Sequence, residues 1–249
     1  MQLIVTRPEP DASRTAQALV ALGHEPILSP MLDIAADATA QLPDLPFQAV
    51  LATSTNAVRA LAAHRDLARF TELPLLAVGD RTALEARRAG FGGARSAAGA
   101  LDDLVELAAA QLDPAAGPLL YAAGDVQSGD LAGLLAARGF QTETAIVYRA
   151  RARTRLADAA SEAFRRGTAD GVLLYSGRSA AAFALTLSAG GLAPLPSRVT
   201  CYCLSAAVAE ALPAVSSGPI LIAARPDQIS LFALLEPALR PPRVAEHPR

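Results

Sequence analysis

Four polar segments in this 249-residue chain each follow an apolar run and precede a helical pattern. They are Thr53-Ser54-Thr55-Asn56, Gly79-Asp80-Arg81-Thr82, Ser176-Gly177-Arg178-Ser179 and Ser205-Ala206-Ala207. The first backbone N–H groups of a helix are free and its dipole is positive there, so such segments can bind carboxylates and phosphates. One segment alone is more simply explained by helix capping. Four of them, in both halves of the chain, favour a cleft between domains that binds a large polyanionic ligand.

Tyr148 stands at the end of a predicted strand and borders an arginine-rich stretch. Its phenol is the hydroxyl in the chain best suited to donate a proton. Arg149, Arg151, Arg153 and Arg155 alternate along the chain, so they share one face of an extended segment. This pattern fits a solvated connector or an anion-binding groove, and both interpretations stay open. A strand-end tyrosine is commonly a packing residue, but a phenol can also act as a general acid.

The sequence lacks the residues and motifs on which several common catalytic mechanisms depend. All 22 basic residues are arginine, which excludes Schiff-base chemistry, a lysine base and a P-loop lysine. Glycine-rich dinucleotide and nucleophile-elbow motifs are absent. We expect His24, His64 and His247 to be solvated or to cap helix ends, and Cys201 and Cys203 to be buried core thiols. These features predict a site that works without the usual metal, Schiff-base or nucleophile chemistry.

Composition and charge exclude several classes of partner. The chain is 52% hydrophobic and carries a net charge of −2, so it should fold but lacks the basic balance typical of nucleic-acid binders. No apolar run reaches the length of about 18 residues that a membrane span needs, and no signal-peptide pattern opens the chain. We therefore expect a cytoplasmic protein.

Short apolar runs alternate with helical patterns along the chain. The predicted strands lie near Leu3–Thr6, Pro26–Leu32, Ala49–Thr53, Leu75–Val78, Leu119–Ala122, Glu143–Tyr148, Gly171–Ser176, Val199–Leu204 and Ile220–Ala224. The predicted helices are Asp11–Leu22, Asn56–Ala68, Arg81–Ala89, Gly129–Arg138, Ser179–Leu187 and Ala206–Leu212. Gly23, Gly90 and Gly139 stand where a left-handed residue would end a helix. The pattern predicts a doubly wound α/β fold with mostly parallel sheets.

Two segments, Ala35–Pro46 and Tyr148–Arg155, interrupt this alternation. They predict two α/β domains joined by two crossings. One is discontinuous and combines residues 1–36 with 155–249, and the other is an inserted domain over 37–154. We expect residues 241–249 to be a disordered tail.

The order and spacing of short motifs resemble the uroporphyrinogen-III synthase family of tetrapyrrole biosynthesis. The motifs are Val5-Thr6-Arg7-Pro8, Thr53-Ser54-x-Asn56-Ala57-Val58, Ala77-Val78-Gly79-x-x-Thr82-Ala83, Gly124 with the helix after it, Val147-Tyr148-Arg149, Tyr175-Ser176-x-Arg178-Ser179-Ala180 and Leu204-Ser205-x-x-Val208-Ala209-x-Ala211-Leu212. The resemblance covers nearly the whole chain and stops before about Arg240.

This resemblance implies two flavodoxin-like domains, a monomer that opens and closes, and no cofactor. The implied substrate is hydroxymethylbilane, a linear tetrapyrrole that the enzyme cyclises to uroporphyrinogen III with inversion of ring D. Transient contact with the preceding pathway enzyme is left open. The implied catalytic residue is Tyr148, and the implied substrate-binding residues are Arg7, Thr53, Ser54, Asn56, Gly79, Gly124, Arg149, Ser176, Arg178, Ser179, Ser205 and Ala206.

Two departures from the family pattern and two alternative functions accompany this hypothesis. Asp125-Val126-Gln127-Ser128 stands where basic residues are common, and Ala207 with Val208 replaces threonine after the penultimate strand. One alternative is a non-catalytic two-domain protein that binds a polyanionic small molecule. The other is a flavodoxin-like redox or regulatory domain, which the 4% aromatic content disfavours.

Overall fold

The computed structural model describes residues 1–127 and 129–236, and within it the chain forms two compact α/β units. Unit 1 consists of Met1–Asp33 and the described residues from Arg151 onward, and unit 2 is Ile34–Ala150. The first division, after Asp33, falls three residues before the predicted boundary at residue 36, and the second, after Ala150, falls four residues before the one at residue 154. Both divisions lie inside strands and not in loops. The predicted tail at 241–249 lies outside the described residues.

Unit 1 is built on a five-stranded sheet in the order β11-β10-β9-β1-β2, in which each strand runs parallel to its neighbours. Its strands are β1 Gln2–Val5, β2 Glu25–Leu28, β9 Gly171–Leu174, β10 Thr200–Cys203 and β11 Ile220–Ile222. Its helices are α1 Asp11–Ala21, α6 Asp158–Arg166, α7 Gly177–Ala189, α8 Ala206–Ala209 and α9 Gln228–Ala233.

Both faces of this sheet are covered. Ile4, Val172 and Cys201 belong to the core on one face, whereas Leu3 and Leu173 belong to the core on the other. Because side chains alternate along a strand, a strand buried on both faces is apolar at every position. This explains why the apolar runs in the sequence are continuous.

Unit 2 is built on a six-stranded sheet in the order β3-β8-β7-β4-β5-β6. Its strands are β3 Leu32–Ala36, β4 Ala49–Ala52, β5 Leu75–Ala77, β6 Arg95–Ser96, β7 Leu119–Gly124 and β8 Thr142–Ala152. Its helices are α2 Thr55–Ala62, α3 Asp80–Arg88, α4 Leu101–Gln111 and α5 Leu131–Ala136. The strands from β8 to β6 run parallel.

The two chain crossings lie in paired strands, β3 and β8. The Asp37 N–H donates to the Val147 carbonyl, and the Arg153 N–H donates to the Met31 carbonyl, so these strands are antiparallel. The Arg153 guanidinium also pairs with the Asp33 carboxylate at 2.7 Å. Arg149, like its three alternating neighbours, is exposed, and β8 continues to Ala152 where a break was predicted.

The predicted helix exits are confirmed: Gly23, Gly90 and Gly139 have φ values of 77°, 99° and 85°, in the left-handed region. The helix predicted over Asn56–Ala68 ends earlier, at Ala62. The prediction missed helices α4, α6 and α9 and strands β3 and β6. Among the described residues, no helix is long and apolar enough to cross a membrane.

His64 is a correction to the sequence analysis, because it is buried and not solvated. Its Nδ1 accepts the Asp66 N–H at 3.1 Å, which leaves Nε2 to donate to the Ala40 carbonyl at 2.9 Å. The ring therefore fastens the loop before β4 to the end of α2. Cys201 and Cys203 are buried free thiols, as predicted, and burial raises their pKa values to about 11 and about 12.

Candidate active site

Two of the four polar segments lie together with Arg7 at the carboxyl edge of the unit 1 sheet. Arg7 follows β1, Ser176 follows β9 and Ser205 follows β10, and these three strands are neighbours. In a parallel sheet the strand ends converge at one edge, which is where ligands bind in this class of fold. Ser205 and Ala206 begin α8, which has four residues, so the dipole available there is small.

Ser176 is the N-cap of α7, a helix of 13 residues. Its Oγ accepts the Ser179 N–H at 3.2 Å and lies 2.9 Å from the Ser179 Oγ. Ser179 is buried, whereas Gly177 and Arg178 are exposed in the first helical turn. The arrangement offers an anion the dipole of a long helix and an exposed guanidinium side chain, while Ser179 contributes to the cap.

Arg7 is nearly enclosed within unit 1. Its guanidinium lies 3.2 Å from the Thr15 Oγ1, 3.2 Å from the Gln228 Oε1 and 3.4 Å from the Asp11 carboxylate. It also stacks over the Tyr175 ring at 4.1 Å from the centroid. These contacts hold β1, α1, α9 and the end of β9 together. The geometry therefore gives Arg7 a structural role, and direct substrate binding by this residue stays a prediction.

The carboxyl edge of the unit 2 sheet brings together the other predicted segments. Thr53 follows β4, Gly79 follows β5, Gly124 ends β7, and Tyr148 lies near the end of β8. Ser54 is the N-cap of α2, and its Oγ accepts the Asn56 N–H at 3.1 Å. Gly79 precedes α3, and a Cβ added there would find no atom within 4 Å, so no crowding demands glycine.

A tyrosine and a threonine hydroxyl meet at this edge, whereas Tyr148 packs in the core on the other face of the sheet. The Tyr121 hydroxyl lies 3.0 Å from the Thr53 Oγ1, on the same side of the sheet. Burial raises the pKa of Tyr121, the Thr53 hydrogen bond lowers it, and the nearby Tyr148 raises it again. Gly124 lies directly against the Tyr148 ring. Arg149, the next residue along β8, is exposed and can meet a carboxylate.

Comparisons with known proteins identify the family of this chain. The family model for uroporphyrinogen-III synthase HemD matches residues 13–233. The chain belongs to the uroporphyrinogen-III synthase family. A search of curated proteins finds no match.

Solved structures of the same family share the fold of this chain. Uroporphyrinogen-III synthetase from Helicobacter pylori 26695 is 18% identical with a TM-score of 0.64, and the match covers 96% of this chain and 100% of that one. A mutant uroporphyrinogen III synthase from the extremely thermophilic bacterium Thermus thermophilus is 17% identical with a TM-score of 0.55 and coverage of 96% and 98%. At this identity the likeness establishes the mixed α/β fold with parallel sheets.

Sequence reasoning missed Tyr121 in this family member. Its position in an apolar strand indicated packing, and nothing in the local pattern pointed to Thr53. The link comes from the pairing of β4 with β7, which places Tyr121 beside Leu51, two residues before Thr53 on the same face. Within residues 1–127 and 129–236, no three histidine, cysteine or carboxylate side chains form a group that could hold a metal ion.

Proposed function

We propose that this family member is a uroporphyrinogen-III synthase: it cyclises hydroxymethylbilane to uroporphyrinogen III with inversion of ring D and loss of water. The observation that carries the proposal is the family match over residues 13–233, joined to the Tyr148 phenol, which lies opposite the last residue of β7, although β8 itself continues to Ala152. The reaction places the enzyme among the cyclising lyases of tetrapyrrole biosynthesis.

The substrate carries an acetate and a propionate on every pyrrole, so binding it requires many anion-binding groups. We propose that the first turns of α2, α3 and α7 supply backbone N–H groups for these carboxylates. Arg149 on β8 and Arg178 in the first turn of α7 are exposed. Both would add charge-assisted hydrogen bonds to the substrate carboxylates. Holding the chain in one conformation favours ring D inversion over spontaneous closure to the unrearranged isomer.

The reaction begins when the hydroxymethyl group loses its hydroxyl. We propose that the Tyr148 phenol donates its proton to that oxygen, which leaves as water while the pyrrole nitrogen lone pair forms the azafulvene. The substituted α-carbon of ring D then attacks the azafulvene carbon, forming a spiro intermediate.

In the spiro intermediate, the bond between the substituted α-carbon of ring D and the methylene of ring C then breaks. The macrocycle recloses when the free α-carbon of ring D bonds to that methylene. Loss of the ring proton restores the aromatic pyrrole and can return a proton to the tyrosinate. One water molecule is released overall, and no electrons are exchanged. The substrate supplies its own nucleophile and stabilises its own cation, so a lysine or metal ion is not needed for the chemistry described.

The test is to incubate the protein with freshly generated hydroxymethylbilane and to resolve the type I and type III isomers of the product. We expect type III to dominate when protein is in excess over substrate. A product that contains only the spontaneous type I isomer would contradict the proposal and favour a non-catalytic protein that binds polyanionic small molecules. We further propose a monomer acting in the cytoplasm, which gel filtration and fractionation would check.

A further inference from the structure

Gly124 leaves the space in which the Tyr148 ring lies. A Cβ built on Gly124 would be 2.5 Å from Cζ, 2.8 Å from the hydroxyl oxygen and 2.9 Å from Cε2 of Tyr148. All three atoms belong to the hydroxyl end of the ring, so the Gly124 backbone sets how far that end can descend toward the sheet. Both residues are buried, which leaves the ring little room to move elsewhere.

A register shift between β7 and β8 brings these two residues together. Ala122 pairs with Ala145 and Ala123 with Ile146, but Gly124 pairs with Tyr148 because Val147 is the extra residue. A bulge of this kind redirects the side chains that follow it. Without the shift, Val147 would be opposite Gly124, and Tyr148 would project from the other face of the sheet.

Asp125 closes the bulge on its far side. Its N–H donates to the Tyr148 carbonyl at 3.1 Å, and its Oδ1 accepts the Ala150 N–H at 3.1 Å. One residue thus binds β8 on both sides of Arg149. This gives a role to the aspartate that stands where basic residues are common in the family, although its side chain is exposed.

We propose that Gly124 and Asp125 are positioning residues for Tyr148, the first by leaving space for the phenol and the second by fixing the strand that carries it. The inference rests on the proposed function, because it assigns Tyr148 to departure of the substrate hydroxyl. Gly124 then acts through Tyr148 and not by offering its backbone to a substrate carboxylate.

The test compares Gly124→Ala in two backgrounds, the natural chain and Tyr148→Phe. Phenylalanine keeps Cζ and Cε2, so the added methyl group still displaces the ring in that background and only its contact with the hydroxyl oxygen is lost. Only the natural background has a hydroxyl to misplace. We expect Gly124→Ala to lower the single-turnover rate of type III formation about tenfold in the natural chain and less than about twofold in Tyr148→Phe. Substrate affinity should change little in either background.

A second pair of variants carries the test if Gly124→Ala does not fold. Asp125→Ala removes the acceptor for the Ala150 N–H, whereas Asp125→Asn keeps an oxygen at that position. We expect Asp125→Ala to slow the reaction about threefold and Asp125→Asn to restore most of the natural rate. The matched control for Gly124→Ala is Gly92→Ala. Gly92 is an exposed glycine of the same unit, and no atom lies within 4 Å of a Cβ added to it. It should leave the rate unchanged.

Equal losses from Gly124→Ala in both backgrounds would overturn the inference, because the glycine would then act independently of the hydroxyl. So would a Tyr148→Phe variant as fast as the natural chain, since there would be nothing to position. Both results leave the type III product of the natural chain intact. Failure of the proposed function is distinct, because the natural chain itself would then yield type I alone.

Discussion

The carboxyl edges of the two sheets have the same kinds of capping segment but differ in what lies behind them. In unit 1 the group behind the edge is a buried cation, Arg7, held by Asp11, Thr15 and Gln228 and stacked on Tyr175. In unit 2 it is the hydrogen-bonded pair of Tyr121 and Thr53 on one face of the sheet, with the Tyr148 phenol on the other.

This difference indicates a division of labour between the units. A buried cation whose contacts go to the protein, including the Asp11 carboxylate, fixes the strand ends of unit 1 without offering a proton. The phenols of unit 2 can give and receive a proton. We expect substitutions behind the unit 1 edge to change stability, and substitutions at the unit 2 edge to change the rate.

Arg7→Met should have the largest effect on stability. It removes the cation from the Asp11 carboxylate, which is only 7% exposed and also pairs with Arg14. Losing one partner of a buried ion pair costs about 3 kcal/mol. Hydrogen exchange should therefore speed up at the amides of β1 and β9 and stay unchanged in β4 and β7. Urea unfolding would give the loss in free energy.

Arg14→Met is the matched control for that substitution. Arg14 contacts the same carboxylate at the same 3.4 Å, but its side chain is 52% exposed. Exposed pairs contribute at most about 1 kcal/mol, so this variant should be nearly as stable as the natural chain. Equal losses from the two variants would show that burial of the Arg7 pair is not what matters.

Tyr148→Phe should lower the reaction rate and leave the stability nearly unchanged, whereas Arg7→Met should mainly lower the stability. We expect the single-turnover rate to fall about tenfold, below the hundredfold or more that is typical of general acids, because the electron-rich pyrrole already assists departure of the hydroxyl. The free energy of unfolding should change by less than about 1 kcal/mol, because one hydroxyl is lost and the ring stays. An unchanged rate would remove Tyr148 from the mechanism and leave unit 2 with binding alone.

The sequence predicted the strand ends well because its signals there are local. An apolar run followed by Ser, Thr or Gly defines where a strand stops and a helix starts, and Ser54 and Ser176 cap helices as expected. It could not predict what those ends contact. The enclosure of Arg7 depends on Gln228, 221 residues away along the chain, and the Tyr121–Thr53 pair depends on strand order.

Two other features had no local signal for a different reason. Buried His64 looks like a surface residue because its partners are backbone groups, which every sequence has. The bulge opposite Gly124 leaves no mark on composition, so Gly124 resembled one more anion-binding glycine. Residues whose function comes from long-range packing are thus the ones that local patterns misassign.

The smallest expected effect concerns the serine helix caps, which are found at the carboxyl edges of both sheets. Ser54→Ala and Ser176→Ala each remove one helix cap, and each should lower the free energy of unfolding by about 1 kcal/mol. Ser176→Ala should cost somewhat more, because the buried Ser179 loses the Oγ that accepts its N–H. Replacement by threonine, which keeps the hydroxyl, should restore most of the stability at both positions. If both substitutions cost the same and threonine restores neither, the hydroxyls do not stabilise these helices in solution, and hydroxyl capping is not a design that the two edges share.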